Sequence, residues 1–253
     1  MLLESKEENN FPEVFIKIVM PVILKVNIYD NERSGAFMEQ LRLNPGKLLD
    51  ENGHLTEKGY ATSLVKTYFR RDIKAGALRI KEWDYYLIYN NDYGVALTLA
   101  DNSYMGLVST SFLDFKNKTE RTVSPMTILP MGKTSLPSST KTGDAIFKNS
   151  KASVAFCQNG SSRKLTLEMT NFEKAEPIAI EFELFDEPKD SMVIATPFTN
   201  KPKAFYYNQK IIGMRAHGTV NYKKNTYVFT PETSGKACYP KKMCKKYPDM
   251  NHK

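Results

Sequence analysis

The side chains in this sequence that could carry out acid, base or nucleophilic chemistry are a few histidines and several carboxylates. Histidine occurs three times, at His54, His217 and His252, and a serine or cysteine nucleophile needs such a base beside it. The sequence contains no Gly-x-Ser-x-Gly turn, the turn that exposes the nucleophile of α/β-hydrolases. His217 precedes Gly218 near the start of a predicted strand, where a solvent-facing histidine is the simpler interpretation.

Carboxylates could act as acid and base without a histidine. Asp84, Asp101 and Asp114 lie at the ends of predicted strands, where capping of a turn is the simpler role. If the chain is an enzyme, we expect a hydratase or isomerase. Its catalytic candidates are then Asp84, Asp101, Tyr104 and His217.

The patterns that bind metals and phosphates are missing from the sequence. Cys238, Cys244 and His252 do not have the spacing of a zinc site, and a fourth ligand is lacking. Neither Gly-x-x-x-x-Gly-Lys-Ser/Thr nor Gly-x-Gly-x-x-Gly occurs, so no nucleotide phosphate cradle is indicated. We therefore expect no metal and no cofactor.

Aromatic side chains are the best indication of a binding site. The chain has 14 tyrosines, 14 phenylalanines and one tryptophan. Residues 201–210 interleave aromatic residues with lysines, which could stack single-stranded bases, but tyrosine is also a preferred strand residue. The same side chains suit a pocket for a bulky, partly apolar ligand. The ligand-binding candidates are Trp83, Tyr85, Tyr104, Phe205 and Tyr207.

The net charge of +8 resembles that of a nucleic-acid-binding protein, but its distribution does not. Residues 231–253 hold six lysines against Glu232 and Asp249, so half of the net charge belongs to the last 23 residues. Surfaces that bind nucleic acids cluster lysine and arginine on the folded domain. We therefore expect no nucleic-acid partner.

Features of targeting and compartment favour a cytoplasmic protein. The acidic opening segment lacks the basic start of a secretory signal, and three cysteines do not make a disulfide framework. The apolar stretch at residues 14–28 is interrupted by Lys17, Pro21 and Lys25 and is shorter than the roughly 20 residues of a membrane helix. We expect no integral span, and a membrane-surface element at this stretch is the alternative.

The elements that must position the candidate residues are mostly strands. Leu165, Leu167 and Met169 alternate with polar residues, as do the apolar residues of 178–184, and strands with one wet face favour antiparallel sheets. Turns are predicted at 90–92, 159–161 and 223–225, where asparagine and glycine tolerate tight hairpins. The sequence thus predicts an all-β sandwich or barrel. Helix is minor, and its best segment, 57–66, is weakened by Gly59.

Three segments are predicted along the chain. Residues 1–37 form an N-terminal extension, 38–231 the β domain and 232–253 a basic, disordered tail. Within the domain, residues 125–143 combine three prolines with many serines and threonines, which predicts a long loop. Such a loop could cover the mouth of a barrel, and a surface excursion is the simpler alternative.

Several segments, in order, resemble an uncharacterised and largely bacterial family known as domain of unknown function 2804. They include RIKEWDYY (79–86), LADNSYMGL (99–107), PMGK (130–133), PKDSMVIATP (188–197) and FYYNQK (205–210). The resemblance covers about residues 45–230. The family continues beyond Pro231 into a segment rich in Asp, Trp, Gly and Arg and then a further β half, so the resemblance implies that this chain is truncated, which would leave a sheet edge bare.

The resemblance implies no specific activity. The family's architecture is similar to that of lipocalin-like double-barrel proteins, which include carotenoid hydratases, so it implies an antiparallel meander forming a lipocalin-like barrel or an open sandwich. It further implies a small, largely apolar ligand. Our first hypothesis is therefore a non-enzymatic β module that binds a hydrophobic or amphiphilic small molecule. The alternative is a hydratase or isomerase acting on a lipid or isoprenoid.

Overall fold

The structure of the protein is a computed structural model that describes residues 41–198, 201–232 and 237–245. Side chains are described for these residues except Pro202 and 237–245. Sixteen strands and two 3-10 helices are formed within these ranges. The 3-10 helices are Arg70–Asp72 and Ala77–Arg79. The strands are β1 (Gly46–Lys47), β2 (Gly59–Ala61), β3 (Lys66–Thr67), β4 (Ile80–Tyr89), β5 (Tyr93–Asp101), β6 (Met105–Asp114), β7 (Thr119–Val123), β8 (Met126–Ile128), β9 (Ala145–Lys148), β10 (Ala152–Asn159), β11 (Ser162–Glu173), β12 (Glu176–Phe185), β13 (Met192–Phe198), β14 (Lys201–Tyr222), β15 (Asn225–Phe229) and β16 (Ala237–Lys245).

Fourteen of the strands form one continuous antiparallel sheet. Its main path is β7-β6-β5-β4-β16-β14-β12-β11-β10-β9, and β2, β8, β13 and β15 pair beside this path. A separate parallel pair joins β1 and β3. Antiparallel neighbours in the chain are connected by short turns, which is why β4 to β7 and β9 to β12 follow each other in space as they do in sequence.

The sheet folds over so that its two halves share one apolar core. Alternate residues of β4 to β6 and of β9 to β12 contribute to it, among them Ile88, Leu97, Val154, Leu167 and Phe182. On the outer rim, the Arg121 Nε of β7 donates a 3.1 Å hydrogen bond to the carbonyl of Phe172 in β11. No strand pairing between β7 and β9 closes the path within the described residues. The predicted all-β, antiparallel fold is confirmed, in its open-sandwich form and not as a closed barrel.

A second, smaller core lies beside the first. Leu48, Leu49 and Tyr68 of the segment before β4 pack against Val193 of β13 and Phe205 of β14. Strand β14, 22 residues long, serves both cores and has a bulge between Ile212 and Met214. This bulge resets which side chains face inward, since an extra residue shifts the alternation by one.

Three predicted turns are confirmed and one predicted element is wrong. The turns at 90–92, 159–161 and 223–225 connect β4 to β5, β10 to β11 and β14 to β15. In the last of these, Lys223 and Lys224 adopt positive φ angles of 50° and 63°. No helix forms at 57–66; this stretch contains β2, which pairs with β13, and the start of β3. Pairing with β13 overrides a weak local preference for helix.

Some expectations concern residues that the structure does not describe. The N-terminal extension at 1–37 lies outside the described ranges, as do 233–236 and 246–253 of the predicted tail. Residues 237–245 of that tail form β16, between β4 and β14. No helix in the described part of the chain is long and apolar enough to cross a membrane, and the apolar stretch at 14–28 lies outside that part.

Candidate functional site

The segment between β8 and β9, residues 129–143, crosses one end of the sandwich, and we call it the strap. At its start, Met131 N donates to the carbonyl of Ser103 at 3.1 Å. At its end, the Thr140 hydroxyl donates to Gln209 Oε1 of β14 at 2.7 Å. The strap is thus fastened at both ends, and the loop predicted at 125–143 is confirmed apart from the short strand β8.

Three carboxylates lie beneath the strap on the inner face of the sheet. Glu82 and Asp84 are two residues apart in β4 and therefore share a face, and Asp101 of β5 pairs directly with Glu82. All three are buried, with at most 4% of each residue exposed. Buried carboxylates need hydrogen bonds or opposite charges to be tolerated. Glu82 and Asp101 obtain them from the strap and from the segment before β4.

Asp101 holds the strap in place. Its Oδ1 accepts from Ser103 N at 2.9 Å. Its Oδ2 accepts from Gly132 N at 2.8 Å and from the Thr134 hydroxyl at 3.0 Å. The Arg70 guanidinium lies 3.9 Å from the carboxylate. Asp101 therefore accepts all of its described hydrogen bonds as a carboxylate, and these bonds anchor the strap to β5.

Glu82 is held by two neighbours from the segment before β4. The Tyr68 hydroxyl donates to Oε1 at 2.6 Å, and the Arg70 guanidinium donates to Oε2. Burial, and then the negative charge of Glu82, raise the pKa of the Tyr68 hydroxyl. Gly132 of the strap passes so close that a Cβ there would lie 2.6 Å from Arg70 Nε, and its φ is +88°. The contacts of Glu82 that the structure describes are thus to neighbouring side chains of the protein.

Asp84 instead lines a small cavity beneath the second half of the strap. The cavity has a volume of about 10 Å³, enough for about one water molecule. Tyr86 and Phe156 of the main core form its apolar side, and Thr140 and Arg163 contribute polar groups. The remaining lining residues are Pro137, Ser139, Gly143, Cys157 and Gln158. The cavity is therefore the place where the apolar core meets buried polar side chains.

Arg163 is the buried cation at this cavity. It is 2% exposed and donates from NH2 to Glu187 Oε2 at 2.6 Å. Glu187 also accepts from Lys141 of the strap at 2.6 Å. Burial opposes ionisation of Glu187, but the hydrogen bonds from Lys141 and Arg163 outweigh it and lower the pKa of this carboxyl. The Glu187 carboxylate thus links Lys141 of the strap to Arg163 of β11.

The four predicted catalytic candidates do not form one constellation. Asp84 lines the cavity and Asp101 anchors the strap. Tyr104 is 45% exposed beside the strap, with the Lys81 ammonium 5.8 Å from its ring. His217 lies on the outer face of β14, where its Nε2 is 3.4 Å from Glu183. Only Asp84 is placed to touch a molecule in the cavity.

The five predicted ligand-binding aromatics are also separated. Trp83 and Tyr85 lie on the face of β4 opposite to Asp84, since successive residues of a strand alternate. Phe205 and Tyr207 are buried in the smaller core. Burial raises the pKa of the Tyr207 hydroxyl. Tyr104 is on the surface, so these side chains do not line a common pocket.

Sequence reasoning missed Arg163, although its position carries a signal. Arg163 has the same parity in β11 as Leu165 and Leu167, both fully buried, so a charged residue sits in an apolar series. Gln209 likewise continues the buried series of Phe205 and Tyr207 in β14. A polar residue at an inward position of a strand points to a buried polar site. Arg70, in a short 3-10 turn, offers no such signal.

Metal binding finds no support among the described residues, where no group of three or more His, Cys, Asp or Glu side chains could hold an ion. Cys238 and Cys244 lie in β16, whose side chains are not described, and His252 lies outside the described ranges.

Comparison with protein families finds one matching family model, "Domain of unknown function (DUF2804)", over residues 39–238. No curated protein matches the chain. Among solved structures, one described as "a putative ATTH" from Nitrosomonas europaea is similar, with 12% sequence identity and a TM-score of 0.49. The similarity covers 73% of this chain and 57% of the other, so this chain spans little more than half the length of that structure.

Proposed function

Since this chain belongs to the DUF2804 family of unknown function, we propose its function from the site beneath the strap: a module that binds a hydrophobic or amphiphilic small molecule. The observation that carries the proposal is the cavity in which Asp84 and Arg163 meet the apolar side chains of Tyr86 and Phe156. An amphiphile needs both surfaces at once, an apolar wall for its chain and a few polar groups for its head.

Binding requires the strap to move. The cavity of about 10 Å³ has room for about one water molecule and not for a lipid. The strap is held mainly by hydrogen bonds and ion pairs, such as those of Thr140 and Lys141, and each typically contributes about 1 kcal/mol. In the proposal, release of its second half exposes Tyr86 and Phe156 while Asp101 keeps the first half attached.

A second candidate is an enzyme of hydratase or isomerase type acting on a lipid or isoprenoid. The observation in its favour is the buried carboxylate of Asp84 on the inner face of β4, at the cavity. A carboxyl group in such a place could transfer a proton to a bound double bond. Asp101, Tyr104 and His217 would not take part, because they lie in the anchor or on the surface.

The test is a fluorescence titration with N-phenyl-1-naphthylamine, followed by displacement with oleic acid. We expect saturable binding by the native chain and about tenfold weaker binding of oleic acid by Arg163→Gln, since a charged hydrogen bond from the guanidinium to the carboxylate of the fatty acid is lost. Arg215→Gln, at an exposed ion pair with Asp186, is the matched control. Absence of saturable probe binding by the native chain, or equal oleic acid affinities in the two variants, would contradict the proposal.

One further variant distinguishes the second candidate from the first. Mass spectrometry after incubation with oleic acid would reveal a hydrated product, and Asp84→Asn would abolish it if Asp84 transfers the proton. Binding without any product leaves the non-enzymatic module.

A further inference from the structure

A group of exposed apolar side chains lies at the start of the strap and beside it, and we call this group the apolar ridge: Tyr104, Ile128, Leu129 and Met131. Ile128 is 84% exposed and the other three at least 40%. They are neighbours in space, because Ile128 pairs with Met105 and Leu129 N donates to the carbonyl of Tyr104. Contiguous exposed apolar side chains of this size usually mark a surface that contacts something.

Four basic side chains lie on the segments that carry or contact the apolar ridge, and we call them the basic rim: Arg71, Arg79, Lys81 and Lys133. Lys81 lies over the Tyr104 ring, and Lys133 follows Met131 at an exposed position. Arg79 ends a 3-10 helix whose Leu78 is itself 52% exposed. This helix is tied to the ridge because Ser103, next to Tyr104, donates to the carbonyl of Ile80 at 2.7 Å.

The acidic groups on this side do not balance the basic rim. Glu82 and Asp101 are buried and lie against Arg70, so Arg70 is the cation that offsets them. Asp72 is partly exposed and lies 4.0 Å from Arg71. The basic rim and Asp72 together therefore carry a net positive charge.

We propose that the apolar ridge and the basic rim form a docking surface for an anionic lipid bilayer. Apolar side chains on a protruding segment can enter the interface between headgroups and acyl chains. Lysine and arginine around them remain at the level of the anionic headgroups, to which they are attracted. The combination matches this surface in both chemistry and arrangement.

Charge argues against a second copy of the chain as the occupant. A two-fold symmetric contact places the same patch of both subunits against itself. The basic rims of the two copies would then face each other, and like charges at close range are unfavourable. An anionic bilayer supplies the opposite charge along the whole rim.

The docking surface does not depend on the proposed ligand, because its residues lie at or before the start of the strap and the cavity lies beneath the second half. The proposal is tested by flotation of the protein with vesicles of phosphatidylglycerol and with vesicles of phosphatidylcholine. We expect binding to phosphatidylglycerol that weakens as salt rises, and little binding to phosphatidylcholine.

Two double variants separate the two contributions. Ile128→Ser with Leu129→Ser should abolish insertion, and Arg79→Glu with Lys133→Glu should weaken binding by at least about 25-fold, since each basic residue near the surface contributes roughly a factor of five. The matched control is Ile146→Ser with Val228→Ser, both 60% exposed outside the ridge, which should bind like the native chain.

The proposal is overturned if native and ridge variants float alike, or if phosphatidylcholine binds as well as phosphatidylglycerol. It is also overturned if sedimentation velocity shows a dimer that the ridge variant dissociates. Each variant is also titrated with N-phenyl-1-naphthylamine. Loss of vesicle binding with intact probe binding concerns the docking surface alone, and loss of probe binding with intact vesicle binding concerns the cavity alone.

Discussion

At the scale of single residues, the polar side chains beneath the strap divide into two roles. Asp101 accepts hydrogen bonds from the strap, and Glu82 accepts hydrogen bonds from the segment before β4. Asp84 and Arg163 line the cavity, and Arg163 also donates to Glu187. The difference follows from position along the strands, because Asp101 ends β5 where the strap passes, and Asp84 lies farther along β4 where the strap bridges to β14.

The anchoring role of Asp101 predicts a large cost for a change that hardly alters shape. In Asp101→Asn the amide would face donors at Gly132 and Thr134, and the negative charge near Arg70 would be lost. We expect a loss of about 3 kcal/mol in the free energy of unfolding, measured by urea denaturation. Asp114→Asn, in an exposed turn, should cost less than about 1 kcal/mol. Equal costs in the two variants would rule out the anchor.

The sequence allowed part of this site to be predicted. Asp84 and Asp101 were identified as candidates, and the structure places both on the inner face. The meeting of Asp84 with Arg163 could not be predicted, because the two residues are 79 positions apart and only the folded sheet brings them to one cavity. Alternation within a strand shows which residues share a face, but it does not show which strand lies opposite.

At the scale of elements, β14 is the strand on which the architecture depends. It pairs with β12, β13, β15 and β16 along its 22 residues. Where it crosses β12, Gly218 approaches so closely that a Cβ would lie 2.1 Å from the Glu181 carbonyl oxygen and 2.8 Å from Phe182 Cα. Only glycine allows these two backbones to approach in this way.

We therefore expect Gly218→Ala to destabilise the protein by about 3 kcal/mol or more, because backbone atoms must shift to admit the methyl group. Gly76→Ala is the control, since a Cβ there meets nothing within 4 Å, and its stability should be nearly unchanged. Thermal unfolding followed by circular dichroism measures both. A Gly218→Ala variant as stable as the native chain would show that β12 and β14 are farther apart than described.

Strands and turns were predicted correctly where the local sequence determines them. They were missed where pairing with a strand far away in the sequence determines them. The alternation of Leu165, Leu167 and Met169 identified β11 without ambiguity, and turn residues identified three hairpins. The stretch at 57–66 has few strand signals of its own, and it becomes extended because β13 offers an edge to β2. Such tertiary context is not visible in a window of ten or so residues.

At the scale of the whole molecule, the smaller core joins the segment before β4 to the sheet. The same segment also contains a buried ion pair. The Lys66 side chain is 4% exposed, and its Nζ lies 2.8 Å from Glu57 Oε2. The hydrogen bonds from Lys66, and then from Asn44, lower the pKa of Glu57 from its ordinary 4.5 to about 2. Ionised Glu57 therefore stabilises the folded state.

The sign of the resulting pH dependence follows from this depressed pKa. The contribution of Glu57 is complete above about pH 4.5, its pKa in the unfolded chain, and is lost as the pH falls towards about 2. We expect Glu57→Gln to be less stable than the native chain at neutral pH and to lose less stability over that acidic window. Urea midpoints across the window measure this, with the exposed Glu51→Gln as control. Parallel pH profiles for native and Glu57→Gln proteins would contradict the prediction.

The strap has a kinetic consequence. If the chain binds an amphiphile beneath the strap, as proposed, the strap must open before the ligand enters, because the cavity of about 10 Å³ is too small for a lipid. At high ligand concentration the observed association rate would then reach a ceiling equal to the opening rate, and chemically different amphiphiles would share that ceiling. The rate of ligand entry would then be set by opening of the strap, and so by the contacts of Thr140 and Lys141, and not by the chemistry of the ligand.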